Sequence, residues 1–287
     1  MSRTGGLVDR LHRVAIWGLV ALVVVWSLFP FWWGLAYSFK PPAHLFDATL
    51  VPVLQYDPTS EHWQAEADGA FRQDGMAAAL LNGTIVGLTT ALLALVIGVP
   101  AAVGLARFAR RRRVVAGLVV LFLLPRALPP VVTYLPASLL AWRFGMNDTR
   151  LALVCFDTTL ALPLTILVLH SAVRELPLEV LEAARLDGTG PLGLLLRFIV
   201  PLLRPAVVAV GFLSFVASWN EFLFAFTNHG ERTIMPSVVV TLLEDRDGIP
   251  FEHVGSHLTL IVLPPLLLAF VAQRYLVRGM TLGAVHD

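Results

Sequence analysis

The chain alternates long, unbroken apolar runs with short polar connections, and that pattern sets its elements. Apolar residues dominate 14–37, 76–106, 114–142, 151–172, 206–227 and 257–276. Each run meets the roughly 20 residues that a helix needs to cross a bilayer. The first is longer than a signal-peptide core and no small-residue cleavage pattern follows it, so it is expected to persist as a span. No alternation with the period of a strand recurs along the chain. Inside lipid every backbone amide must bond within its own segment or a closed barrel, so the runs are expected to be helices. The pattern therefore predicts an all-α integral membrane protein with six transmembrane helices.

Composition removes the main competing class. Hydrophobic residues make up 57% of the chain and charged residues 14%, against roughly 25% charged in soluble domains. With a mean hydropathy of +0.75, one water-soluble core cannot hide the apolar surface, which excludes a single soluble enzyme. The net charge of +1 gives no pull toward nucleic acid. Its distribution is informative. The side bearing both termini collects fourteen Lys and Arg, among them Arg3, Arg10 and the run Arg110 to Arg113, and the other side holds six. The positive-inside rule then makes both termini cytoplasmic. Trp17, Trp32, Trp33 and Trp142 suit either an interfacial belt or core packing. The outer loop after the first span is acidic and proline-containing, which fits a solvated loop or a docking surface for an external partner. The expected divisions are 1–75 (N-terminal segment, first span and outer loop), 76–277 (a five-helix core) and 278–287 (a cytoplasmic tail).

Charges within the runs are the next signal, because intramembrane charge normally pairs or faces water. Arg126 lies roughly 18 Å into the third span and Asp157 roughly 9 Å from the outer end of the fourth, at 1.5 Å per residue. Their depths nearly coincide, so Arg126 either pairs with Asp157 or faces a pathway through a span broken by Pro125, Pro129, Pro130 and Pro136. Glu221 reads as a packing or gate residue. His170, His253 and His257 are too sparse to compose a metal site. Cys155, the single cysteine, reads as a small packing residue.

Between the fourth and fifth spans the sequence reads Glu175-Leu-Pro-Leu-Glu-Val-Leu-Glu-Ala-Ala-Arg-Leu-Asp-Gly188. Pro177 suits a first turn, Glu179 and Glu182 suit the positive helix end, and Gly188 offers a stop. This predicts a short exposed helix over 177–188, with Leu178, Leu181 and Ala184 on one stripe. Ala183, Ala184 and Gly188 lack bulk and allow another surface to approach closely.

Glu182-Ala183-Ala184, then Gly188, then Pro201 thirteen residues on, resembles the signature of permease subunits of binding-protein-dependent ABC importers. Phe198 and Val200 stand where that family usually has Ile and Leu. The stretch Gln273-Arg-Tyr-Leu-Val-Arg-Gly-Met-Thr-Leu-Gly-Ala-Val285 is similar to the tail of the carbohydrate branch, in particular the smaller, six-span maltose-type permease. Ser38-Phe-Lys-Pro41, Asn82-Gly-Thr84, residues 101–107 and Trp219-Asn-Glu-Phe222 extend the resemblance over nearly the whole chain. The family tail often ends in Lys-Gly, where this chain has His286-Asp287.

The resemblance implies a type I ABC importer permease fold with a cytoplasmic coupling helix, in a bacterial inner membrane. It implies a second permease subunit, a cytoplasmic ATPase pair carrying ATP and Mg, and a periplasmic or lipid-anchored sugar-binding protein. The chain itself would hold no catalytic residue, cofactor or metal. Glu182, Ala183, Ala184, Asp187, Gly188 and Pro201 would couple to the ATPase, and Arg274, Arg278, Gly279 and Thr281 in the tail would contact it. Arg126, Asp157, Trp219, Asn220 and Glu221 are the pathway candidates. A Walker A loop needs Gly-Lys-Ser/Thr, and the only lysine, Lys40, follows Phe39, so the energy must come from a partner. The expected cargo is a carbohydrate, and Arg126 in the pathway would suit an anionic derivative. The alternative is an ion-coupled secondary transporter using Asp157, Glu221 and Arg126. A membrane hydrolase has no supporting motif.

Overall fold

The computed structural model describes residues 3–69, 75–108, 128–228, 233–239 and 251–282, with a few isolated positions between them. Arg126, Arg110 to Arg113, most of residues 114–127 in the first half of the third predicted span and residues 283–287 lie outside the described residues. The chain divides into two compact units, residues 1–68 with 243–261 and residues 69–242 with 262–287.

In the first unit, α1 (Arg3–Tyr37) carries an apolar stretch, His12–Tyr37, whose first described turns are exposed and which buries only Gly34 and Ala36 near its end. Trp17, Val25 and Trp26 project from it at 71%, 66% and 80% exposure, and a helix apolar on all sides requires lipid around it. Most of the loop that follows is exposed, and a few of its residues anchor it on aromatic rings. Buried Lys40 donates to the Asp47 carbonyl at 2.8 Å and lies over the rings of Tyr37 and Tyr56. Tyr56 Oη donates to the Ala36 carbonyl at 2.7 Å, Trp63 Nε1 to Ser38 Oγ at 3.2 Å, and His62 Nε2 to the Lys40 carbonyl at 2.8 Å. These bonds seat α2 (Glu61–Gly69) against the end of α1. The opening turns of α11 (Phe251–Leu282) join them: a Cβ on Gly255 would lie 2.6 Å from Ser38 N, so only glycine admits this contact. Glu66 Oε1 lies 3.1 Å from His257 Nε2 and 3.7 Å from His253 Nδ1.

The second unit is built on α3 (Met76–Phe108), which packs against α5 (Arg150–Arg174) and α8 (Arg204–Trp219). Small residues permit the close crossing, as at many intramembrane interfaces. A Cβ on Gly98 would come within 2.5 Å of Thr165 Cγ2, and one on Gly87 within 2.8 Å of Phe215. The outer half of the core gathers Val86, Leu153, Phe224, Met235 and Val238, with α4 (Pro130–Arg143) packed against it through Ala141. Thr149 caps α5 by accepting from Ala152 N. α6 (Leu178–Leu186) and α7 (Pro191–Leu202) follow α5, α7 containing one π-helical turn at Leu195–Ile199.

Four helical stretches among the described residues are long and apolar enough to span: His12–Tyr37, Met76–Arg107, Arg150–Arg174 and His253–Tyr275. A fifth arises if α7 and α8, which meet at 83°, form one bent span. The bend has a local cause. Pro205 supplies no N–H to the carbonyl four residues earlier and its ring crowds that group, so the chain turns at Leu203. The fifth predicted run, 206–227, is also not one helix. It stops at Trp219, and the short α9 (Leu223–Asn228) restarts it beyond Asn220 and Glu221.

Candidate functional site: the coupling segment and the polar groups of the spans

The cytoplasmic segment predicted from Pro177 to Gly188 forms α6, nine residues and about 13 Å long at 1.5 Å per residue. Pro177 precedes it with extended backbone, and Glu179 occupies the first turn. Gly188 ends it at φ +81, a conformation an L side chain rarely adopts. The Gly188 amide donates to the Arg185 carbonyl and the Thr189 amide to the Ala184 carbonyl, at 3.0 and 3.1 Å. Those two bonds make a Schellman termination, which satisfies the last carbonyls of α6.

Leu181 and Ala184, each 3% exposed, seat α6 on Val173 of α5 and on Leu194, Ile199 and Leu203. Val103 and Ala106 of α3 pack on the same cluster. Leu181 and Ala184 of the stripe read from the sequence therefore face inward; the Leu178 side chain lies outside what is described. Of the three small residues, Ala184 is spent on the chain's own core, and only Ala183 and Gly188 face outward with Glu182, Arg185 and Asp187. Sequence reasoning passed over Leu186, which is 89% exposed beside them. Its position off the stripe was the available signal. Pro201 is half-buried in α7, just before the bend at Leu203.

Arg274 lies exposed near the end of α11 with its guanidinium 4.8 Å from the ring of Tyr275. Arg278, Gly279 and Thr281 continue in the same helix, which runs to Leu282. Their side chains lie outside what is described.

Within the spans, Asp157 of α5 is buried and accepts a short hydrogen bond from Ser218 Oγ of α8. Among the described residues Ser218 is its one hydrogen-bond partner, and its Oδ1 has none. Thr165 Oγ1 and Ser214 Oγ, 3.4 Å apart, continue the polar seam between these helices. Glu221 accepts from the amides of Phe224 and Ala225 at 2.8 and 2.9 Å, so its carboxylate caps α9. Ser237 Oγ donates to the Glu221 carbonyl at 2.5 Å. Trp219 is 2% exposed and stacked on Phe215, whereas Asn220 is exposed. The break in the fifth span thus leaves one of its three polar candidates open. Sequence reasoning also missed a bridge at this same end of the helices. Asn82 donates to the Ile234 carbonyl at 2.9 Å and accepts from Arg150 Nε at 2.8 Å, tying α3 to α5 and to residue 234. No group of three metal-ligating side chains occurs among the described residues.

Residues 94–282 match the family described as binding-protein-dependent transport system inner membrane component. The trehalose transport system permease protein SugB of Mycobacterium tuberculosis (strain CDC 1551 / Oshkosh) is 29% identical over 96% of this chain and 98% of its own length. The sulfoquinovosyl glycerol transport system permease protein SmoH of Agrobacterium fabrum (strain C58 / ATCC 33970) is 29% identical over 92% and 91%. A crystal structure of a bacterial ABC transporter involved in import of the acidic polysaccharide alginate contains a similar chain. The TM-score is 0.72 at 19% identity, over 96% of this chain and 99% of that one, a likeness of fold. The family match spans α5, α6 and α7 and so includes the helix that projects from the spans, and on that ground the chain belongs to the binding-protein-dependent transport system inner membrane components and is a permease subunit of an ABC importer.

Proposed function

We propose that this chain is one of two permease subunits that together form the pathway of an ATP-driven carbohydrate importer, with α6 as its docking element for a cytoplasmic ATPase. The observation that carries the reading is the two-sided build of α6. Its Leu181 and Ala184 face is locked to the ends of α3, α5 and α7, and its Glu182, Ala183, Leu186 and Gly188 side is open. A helix fixed on one side and free on the other passes a push from a partner directly to the spans, whereas a loose loop would absorb it. Nucleotide-driven closure of an ATPase pair, holding the ATP and Mg, would tilt α6 and with it the spans between outward and inward access. Residues 76–277 serve as the pathway core and the tail with Arg274, Arg278, Gly279 and Thr281 as a second ATPase contact, which requires both termini in the cytoplasm. Asn220 lines the pathway, and an external sugar-binding protein delivers the cargo. The cargo class follows the similar permeases, named for trehalose and for sulfoquinovosyl glycerol.

Purification from native membrane followed by identification of the copurifying chains tests this reading. An ATPase, a second permease and an external binding protein are expected, with uptake of a sugar into vesicles only when ATP is supplied inside the ATPase compartment. Uptake driven by an ion gradient with no ATPase present would overturn it. Outside labelling of a cysteine at Thr281 in sealed cells would overturn the orientation.

A further inference from the structure

In the second unit, the last turns of α3, the end of α6 and the start of α7 enclose a cavity of about 530 Å³. That volume lies within the range of small-molecule sites, about 300–1,000 Å³. Leu192, Leu195 and Ile199 line it with Val103, and Gly104 keeps it open, since a Cβ there would meet nothing within 4 Å. Two arginines from different elements reach the same space: Arg107 closes the apolar stretch of α3 and Arg185 lies on α6. Their charges repel one another, and neither forms a salt bridge among the described residues. A guanidinium cannot shed its proton to relieve the repulsion. Two cations on one pocket wall offer an anion two charge-assisted contacts.

The walls specify the rest of that anion. A free inorganic phosphate, or a carboxylate from a partner protein, would meet the arginines and leave the leucine and isoleucine walls wet. A phosphate that carries acyl chains satisfies both. Arg107 ends the Met76–Arg107 stretch, hence stands at the level of the headgroups, where basic pockets between helices suit anionic lipid. We propose that this cavity is a binding site for an anionic phospholipid of the inner leaflet, whose phosphate bridges Arg107 and Arg185 and whose chains lie along Leu192, Leu195 and Ile199. The lipid adds a charged tie between α6 and α3 beside the apolar cluster of Leu181, Ala184, Val103 and Ala106, so it stiffens the link between α6 and the span. The proposal rests on the importer reading only for the side of the membrane that this face occupies.

The test uses the whole transporter with its partner subunits, delipidated and then reconstituted in vesicles of phosphatidylcholine alone or mixed with phosphatidylglycerol. Phosphatidylglycerol retained per complex is counted by native mass spectrometry. Arg107→Gln and, independently, Gly104→Leu, which fills the cavity and keeps both arginines, should each lower retention about tenfold or more, the loss of one charge-assisted contact. Arg107→Lys should restore part of it, which separates lost charge from lost fold. Equal retention by the original chain and both variants would overturn the proposal. Displacement of the lipid by millimolar inorganic phosphate would assign the site to a soluble anion and overturn the lipid. Loss of the ATPase chains from Arg107→Gln at unchanged lipid count would overturn it in favour of a protein carboxylate. If no ATPase copurifies at all, the importer reading fails while the lipid counts still decide this one.

Discussion

Replacing Gly188 separates the intrinsic cost of ending α6 from the cost of obstructing a partner. The residue sits at φ +81, and a Cβ built there meets nothing within 4 Å of its own chain. Within this subunit the penalty for any L side chain is therefore a backbone penalty alone, about 1–2 kcal/mol for the left-handed conformation. Gly188→Ala and Gly188→Trp should lower the thermal stability of the subunit in detergent by the same amount within about 0.5 kcal/mol, a few degrees or less. In the assembled transporter the two should diverge. Alanine adds one methyl to the open side of α6; tryptophan adds a bulk that no packed groove can accept without moving the helix. ATP-dependent uptake in vesicles should fall modestly in Gly188→Ala and at least about a hundredfold in Gly188→Trp, corresponding to an excess of about 2.7 kcal/mol, while ATP hydrolysis continues uncoupled. Equal uptake by the two variants would refute the assignment of this side of α6 to the ATPase.

Ala184→Leu should behave differently from Ala183→Leu: the first overpacks the cluster of Val173, Leu194 and Ile199 and should cost about 1–3 kcal/mol of stability, read as lost membrane abundance. Ala183→Leu, on the exposed side, should leave abundance unchanged and reduce coupling. Glu221→Ala removes the carboxylate that caps α9 and should cost about 0.5–2 kcal/mol, seen as a lower melting temperature, with Glu221→Gln in between. An ion relay through Glu221 would instead predict that Gln abolishes transport at unchanged stability. In the outer loop, burial raises the pKa of the Glu66 carboxyl above its ordinary 4.5. Its protonated form is therefore favoured by folding, a contribution present below pH 4.5 and lost as pH rises through the raised value. Glu66→Gln should flatten the melting temperature across that window, and an unchanged slope would remove Glu66 as its source.

Four of the spans and the short helix α6 were legible because lipid imposes a length and an apolar run on every crossing element, and because Pro177, Glu179 and Gly188 are chemical punctuation for a short helix. What the sequence could not give was the direction in which small residues point. Ala183 and Ala184 are identical in composition and adjacent in the chain, yet 100° of helical rotation places one in the core and the other in solvent. The same limit hid the tertiary partners of charged groups. Asp157 reads as a charge in search of an arginine, and the sequence did not show that Ser218, 61 residues away, donates to it; Arg126 lies outside the described residues. Glu221 reads as an ionisable group at membrane depth, and the break after Trp219 that frees two amides for it is invisible to a hydropathy window. The loop after the first span is mostly exposed, as its polarity predicts, and what composition did not show is its anchor: Tyr56 and Trp63 pack with Tyr37 of α1 and bury Lys40 and Ser38.

These placements bear on how a push would travel through the subunit. The polar groups of α5 and α8 hold one another in place across a seam, and Glu221 fixes the restart of the chain after α8. Asp157 is held by Ser218 and Glu221 by the amides of α9, while Asp157 Oδ1 has no partner among the described residues. Motion is then left to the places where the backbone is already discontinuous, the 83° turn at Leu203 and the gap at Asn220 and Glu221. Both lie on the chain between the seat of α6 and the outer core around Phe224. A displacement of α6 would load the first through Leu203, which belongs to the same apolar cluster as Leu181 and Ala184, and would reach the exposed Asn220 through the sixteen-residue rod of α8. A rod about 24 Å long at 1.5 Å per residue turns a small tilt at its Leu203 end into a larger shift at its far end, where Asn220 stands.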